Sequence, residues 1–263
     1  MKIEIVPCLH DNYAYLLSTG GDAAAVVDAS EAAPILGALA GRKLVAILST
    51  HHHYDHCDAN AALRARFPHA AVYGHAEELA RGHRIPEQTH GLRDGEGFTL
   101  TDLQEAQGQG LHVPGHTTTA VAFYLPAARA LFTGDTMFAA GCGRLFEGTP
   151  AQMHASLARL MSLPPETRVY CGHEYTVKSL RFAETVEPDN AAIKARQQVV
   201  AELRSAGAPS IPGTLADEAA TNPFVRTGEP SVIAAVSRRP AVGKDELDRV
   251  EVLARLRAWK DAF

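Results

Sequence analysis

The run Thr50-His51-His52-His53-Tyr54-Asp55-His56 concentrates the side chains of this sequence best suited to hold a metal. Imidazole nitrogen and carboxylate oxygen are donors that a borderline-soft divalent ion such as zinc accepts. The run follows the apolar stretch Leu44–Ser49, which reads as a strand. In extended backbone alternate side chains share a side. His51 and His53 would then grip one ion together, while His52 points away and is left out of the ligand set. Asp55 and His56 fall at the turn into a helix expected from Asp58, where they can face a second ion. Three consecutive histidines alone fit a solvated loop equally well. The Asp55-His56 continuation and the preceding strand favour the metal.

Further ligands must come from elsewhere, since two ions need three to four donors each. His116 stands in Val113-Pro114-Gly115-His116-Thr117, Asp135 in Thr133-Gly134-Asp135-Thr136, and His173 in Tyr170-Cys171-Gly172-His173-Glu174. Each alone is ordinary: a surface turn, or an acid that caps a turn. Together they put ligand-type residues after successive strand ends, where one sheet edge could gather them. Cys57 and Cys142 lie close by in sequence. A nucleophilic thiolate needs a partner base and an acylation step, neither of which a metal-activated water requires.

Elements able to position these residues follow from short apolar runs bounded by turn residues. Strands are expected at Lys2–Val6, Tyr13–Leu17, Ala24–Asp28, Leu44–Ser49, Ala71–Tyr73, Val121–Leu125, Ala130–Thr133 and Arg168–Cys171. Helices are expected at Glu31–Ala40, Asp58–Phe67 and Ala151–Ser162, the last closed by Pro164-Pro165. Strands with intercalated helices imply a layered α/β domain. Near residue 173 the character changes. Tyr175–Thr185, Asn190–Ser205 and Asp245–Trp259 read as helices around a turn-rich stretch containing Pro209, Pro212, Gly213, Pro223, Gly228 and Pro230. The expected division is 1–173 and a mostly helical 174–263.

Of the 263 residues 46% are hydrophobic and 21% charged, enough for a packed core. The net charge of −5 argues against nucleic acid or an anionic membrane as partner. No apolar run approaches the roughly 18 residues of a membrane span. The start Met-Lys-Ile-Glu-Ile shows no signal-peptide pattern, so a cytoplasmic protein is expected. The four cysteines show no CxxC pairing.

The order HxHxDH, PGHT, TGD and GH resembles the metallo-β-lactamase superfamily. That resemblance implies an αββα sandwich with the site at one edge of its two sheets. It implies one ion on His51, His53 and His116, another on Asp55, His56 and His173, and Asp135 bridging them. Asp55 and Asp135 would also orient the attacking water. Two divalent ions per chain are implied, zinc foremost, with iron or manganese acceptable to the same donors.

Leu9-His10-Asp11-Asn12-Tyr13, Ala140-Gly141-Cys142-Gly143-Arg144-Leu145-Phe146-Glu147-Gly148-Thr149 and Gly172-His173-Glu174-Tyr175-Thr176 are similar to the hydroxyacylglutathione hydrolase (glyoxalase II) family within it. So are Glu187-Pro188-Asp189-Asn190, Thr221-Asn222-Pro223-Phe224-Val225-Arg226 and the ending Arg257-Ala258-Trp259-Lys260-Asp261-Ala262-Phe263. This resemblance implies hydrolysis of a glutathione thioester of a 2-hydroxy acid, chiefly S-D-lactoylglutathione, to glutathione and D-lactate. It implies that Arg144, Tyr175, Arg257 and Lys260 bind the glutathione peptide; a monomer is the default expectation. Arg144, Arg257 and Lys260 could meet its carboxylates. Phe146 stands where some members carry tyrosine, and a phenyl ring cannot donate a hydrogen bond. The alternative is a glutathione persulfide dioxygenase of the same fold, using one iron. A β-lactamase lacks support without a signal peptide. A metal-storage module leaves the basic set unexplained.

Overall fold

A computed structural model describes residues 1–80, 82, 84–238 and 247–263. Its contacts divide the chain into two interleaved units. The first comprises Met1–His112, Thr119–Gly134 and Tyr170–His173; the second comprises Val113–Thr118, Asp135–Val169 and Glu174–Phe263.

In the first unit β1 (Lys2–Cys8), β2 (Asn12–Ser18), β3 (Ala23–Val27), β4 (Lys43–Leu48), β5 (Ala71–His75) and β6 (His90–Leu92) form one sheet in that order. β1 to β3 are antiparallel and β3 to β6 parallel. β2 and β3 are buried throughout, so both read as continuous apolar runs without alternation. Helices α1 (Ala32–Leu39), α2 (Tyr54–Cys57), α3 (Asn60–Arg66) and α4 (Ala76–Ala80) lie in this unit. Ile35 of α1 and Leu63 of α3 share a core with Leu16, Val26, Ile47 and Val72. A second sheet holds β7 (Gly97–Leu100), β8 (Ala106–His112), β9 (Val121–Leu125) and β10 (Ala130–Gly134), antiparallel throughout, with the strand Arg168–Cys171 beside β10. Tyr15 of the first sheet packs its ring 5.5 Å from Phe132 and 5.2 Å from Tyr170 of the second. Its hydroxyl donates to the Cys171 carbonyl.

The second unit contains the hairpin β11 (Met137–Phe138) and β12 (Gly141–Cys142). The first half of β13 (Arg168–Cys171) pairs there with β14 (Gly213–Thr214). Its helices are α5 (Pro150–Met161), α6 (Thr176–Val186), α7 (Ala191–Ser205), α8 (Leu215–Thr221), α9 (Pro230–Ser237) and α10 (Arg249–Asp261). A capping box between Thr149 and Gln152 starts α5, with Pro150 in the first turn where its missing N–H costs nothing. Leu180, Ala183, Ile193 and Val200 pack α6 on α7. Phe182 stacks 5.9 Å from Phe224 and meets Trp259 edge-on at 5.4 Å.

Three expectations change. The helix expected at Asp58–Phe67 is present as Asn60–Arg66, but a separate four-residue helix, Tyr54–Cys57, precedes it, so Asp55 and His56 sit on a helical turn. The stretch after Pro209 is not turn throughout, because it carries α8 and opens α9. The last helix runs Arg249–Asp261, capped by Asp248, and the expected start at Asp245 lies outside the described residues. Among the described residues no helix is long and apolar enough to cross a membrane.

Candidate metal centre

In the first unit the donors are held by a frame of carboxylates. Asp28 follows β3 with φ 52°. Its Oδ1 accepts from the Thr50 amide at 2.8 Å and its Oδ2 from the Thr50 hydroxyl at 2.9 Å. The same Oδ2 accepts from His56 Nδ1 at 2.9 Å, which turns Nε2 of His56 toward Asp55, 3.8 Å from its Oδ2. Thr50 uses its single proton on Asp28, so its oxygen accepts from His51 Nδ1 at 3.1 Å. The lone pair of His51 then lies on Nε2, 3.1 Å from Nδ1 of His53. Gly134 packs on this threonine: a Cβ there would come within 2.3 Å of the Thr50 hydroxyl, and φ is +47°.

His173 is placed by β2, whose Tyr13 amide donates to Gly172 O at 2.9 Å. Its Nδ1 donates to Asp11 Oδ1 at 2.8 Å, leaving Nε2 3.4 Å from Asp55 Oδ2. Asn12 Nδ2 donates to both the backbone oxygen and Oδ2 of Asp55, at 3.0 and 3.2 Å. Asp55, His56 and His173 thereby bring one ligand atom each within 4.8 Å of one another. Histidines that donate one ring N–H to a carboxylate and aim the other nitrogen at a shared point have the habit of metal ligands. The donor set fits a divalent ion, and its nitrogen and carboxylate chemistry suits zinc, iron or manganese.

In the second unit His116 donates from Nδ1 to the Arg144 carbonyl at 2.8 Å, and its Nε2 lies 3.5 Å from Asp135 Oδ2. Residues 143–148 close tightly over this pair. The amides of Phe146 and Glu147 reach His116 O at 3.2 and 3.3 Å, and that of Gly148 reaches Gly115 O at 3.1 Å. A Cβ on Gly143 would stand 2.0 Å from Asp135 O and 3.0 Å from His116 Nδ1. Glycine is therefore required there by space.

The same unit gathers the basic set. Arg144, Leu145, Phe146, Arg257, Ala258 and Asp261 line a cleft of about 460 Å³. Asp261 Oδ1 meets Arg257 Nη2 at 2.9 Å and Arg144 Nε at 3.3 Å. Arg257 is 7% exposed and donates from Nη1 to Cys142 O at 2.7 Å, whereas Arg144 reaches solvent. Lys260 donates to Lys178 O at 3.1 Å with Nζ 4.8 Å above the Phe182 ring. Burial, then Arg257 and Lys178, lower its pKa to about 7. Tyr175 is partly exposed, its ring edge-on to Phe138 at 5.2 Å.

Cys57 lies under the histidine run, its Sγ donating to His53 O at 3.3 Å and His52 O at 3.4 Å. Burial, then neighbouring carboxylates led by Asp28, push its thiol up to about 12. It is no nucleophile near neutral pH. Sequence reasoning quoted Asp11 and Asn12 only as part of a resemblance and missed the role of Asp28. An acid directly after a buried strand was the available signal for Asp28.

Residues 9–173 match the profile of the metallo-beta-lactamase superfamily, and residues 174–263 match that of the hydroxyacylglutathione hydrolase C-terminus. A hydroxyacylglutathione hydrolase of Synechococcus sp. (strain JA-3-3Ab) is 49% identical, with all of both chains covered. One of Xanthomonas euvesicatoria pv. vesicatoria (strain 85-10) is 46% identical over all of this chain and 99% of that protein. The chain belongs to the hydroxyacylglutathione hydrolase family. It is a metal-dependent hydrolase of the metallo-β-lactamase fold with a helical C-terminal region. Among solved structures, TTHA1623 in a di-iron-bound form is 31% identical with TM-score 0.57, covering 83% of this chain and 98% of that one. ETHE1 from Myxococcus xanthus shares the fold at 24% identity and TM-score 0.63, over 98% of this chain and 99% of that one. For this hydroxyacylglutathione hydrolase family member, the DNY and GCGRLFEGT segments acquire physical reasons: the first anchors Asp55 and His173, the second seats His116.

Proposed function

We propose that this chain hydrolyses S-(2-hydroxyacyl)glutathione, chiefly S-D-lactoylglutathione, to glutathione and a 2-hydroxy acid such as D-lactate. This is the second step of methylglyoxal detoxification. The observation that carries the reading is relatedness over the full length, at 49% identity, to a hydroxyacylglutathione hydrolase. His51, His53 and His116 would hold one divalent ion, and Asp55, His56 and His173 the other, with Asp135 between them. The carboxylate-anchored imidazoles of the first unit and the His116–Asp135 pair of the second support this assignment. Zinc is the proposed metal, with iron or manganese as alternatives; the related TTHA1623 was obtained with two irons.

Such a pair of ions, when bound, would supply a water whose pKa is lowered to about 7 and Lewis-acid polarisation of the thioester carbonyl. Asp55 and Asp135 would orient that water while serving as ligands, and Asn12 fixes the Asp55 carboxylate from outside. A thiol is a good leaving group, so the site needs no strong general acid. Arg144, Tyr175, Arg257 and Lys260 bind the glutathione peptide, Arg144 offering a planar fork to a carboxylate. We assign the hydrolytic domain to 1–173 and the substrate-binding domain to 174–263, divided where the two family profiles meet. A cytoplasmic monomer is the accompanying proposal.

The one-iron dioxygenase alternative is disfavoured by the Asp55, His56 and His173 triad, which a single ion would leave idle. Metal analysis paired with a thioesterase assay tests the reading. Two ions per chain and chelator-sensitive turnover of S-D-lactoylglutathione are expected. Undiminished turnover in verified metal-free protein overturns it.

A further inference from the structure

His52, the middle of the three histidines, leads to a buried carboxylate that neither the family motifs nor the ligand set employs. Glu78 of α4 is fully buried, at 0% exposure. It takes a bidentate contact from Arg84, Nη2 to Oε1 at 2.6 Å and Nε to Oε2 at 2.8 Å. The Thr119 hydroxyl donates to its Oε1, and His52 Nδ1 lies 3.4 Å from the same oxygen. Arg84 also donates from Nη1 to His52 Nε2 at 3.1 Å. A guanidinium can only donate, so Nε2 is the acceptor and Nδ1 carries the proton that faces Glu78. The two ring nitrogens of His52 thus face Arg84 and Glu78.

We infer that Glu78 is a positioning residue for the ion that His51 and His53 would hold, tying the histidine run to Thr119. Through His52 it fixes the rotation of the run between its two ligand neighbours. Through Thr119 it holds the chain three residues beyond His116. The Asp55–His56–His173 donors have their own anchors in Asp28, Asp11 and Asn12 and do not depend on it. The inference rests on the two-metal reading above: Asp28 reaches donors of both ions, through Thr50 to His51 and directly to His56, whereas Glu78 reaches the His51–His53 run alone.

The test is metal release rather than turnover alone. Purified protein and Glu78→Gln are loaded with zinc and titrated with a chelator. The variant is expected to keep one ion as the parent does and to release the other at roughly 10- to 100-fold lower chelator concentration, the usual cost of losing such a support. Excess zinc should restore turnover, and Glu78→Asp should fall between the two. In a His173→Ala background Glu78→Gln should loosen the remaining ion; in His51→Ala it should change nothing. Thr119→Val removes one contact to the carboxylate and repeats the test should Glu78→Gln fail to fold. Unchanged release of both ions, or equal weakening of both, overturns the inference. Wild-type protein that binds fewer than two ions overturns the two-metal reading itself.

Discussion

Asp11 Oδ1 and His173 Nδ1 meet at 2.8 Å across a separation of 162 residues. The contact orients an imidazole at the end of β13 from the turn between the first two strands. A carboxylate on the far nitrogen of a ligand histidine raises its basicity and fixes its tautomer. Asp11→Asn should therefore weaken one ion by about 10- to 100-fold while leaving the fold intact. Chelator competition at constant melting temperature checks this. An unchanged release curve would show the contact to be incidental.

Gly143→Ala asks for space that Asp135 O and His116 Nδ1 occupy. The 143–148 turn must lift, carrying His116 and Asp135 with it. A misplacement of about 1 Å costs about 100-fold in rate. kcat/KM should fall by at least that order, with circular dichroism little changed.

Lys260 gives a pH signature. Its folded pKa is lowered to about 7, below the 10.5 of an ordinary lysine. The unfolded chain therefore binds more protons between those values, so this residue's contribution to stability becomes more favourable as pH rises from 7 to 10.5. Its charge is present below about 7 and lost above. KM for an anionic glutathione thioester should climb as pH passes upward through that point, and Lys260→Gln should remove the climb. A pH-independent difference between the two proteins would refute the assignment.

Glu78 has the opposite sign. Burial alone would raise its pKa, yet hydrogen bonds from His52, Thr119 and Arg84 hold it at about 2, below the ordinary 4.5. Its contribution to stability is present above 4.5 and is lost as pH falls toward 2. Denaturation curves taken between these values should show a shallower acid dependence for Glu78→Gln than for the parent.

Much of the candidate site was legible because ligand chemistry is written in residue type and order. His51, His53, Asp55 and His56 stand out beside one another, and His173 follows a strand and a glycine. Glu78 was not legible as a support, since a lone acid carries no mark of what it will face after folding, and Asp28 offered only its place after a buried apolar run. The apolar strands β2 to β5 were readable from their runs. β8, with the sequence Ala-Gln-Gly-Gln-Gly-Leu-His, was not, because its glycines make room for Phe98 and Leu92 where apolar side chains would otherwise signal a strand. α8 hid among prolines, although the Thr214–Asp217 capping box was a usable start signal.

The buried thiols have a chemical consequence of their own. Cys8, Cys57, Cys142 and Cys171 are all free and all buried. Burial raises the pKa of Cys8 to about 11 and that of Cys57 to about 12, and shifts Cys142 in the same direction. Exchange with a disulfide needs an accessible thiolate. A hydrolase that releases glutathione thus exposes no partner to the oxidised form of its own product, and mixed disulfides have no foothold on the folded chain.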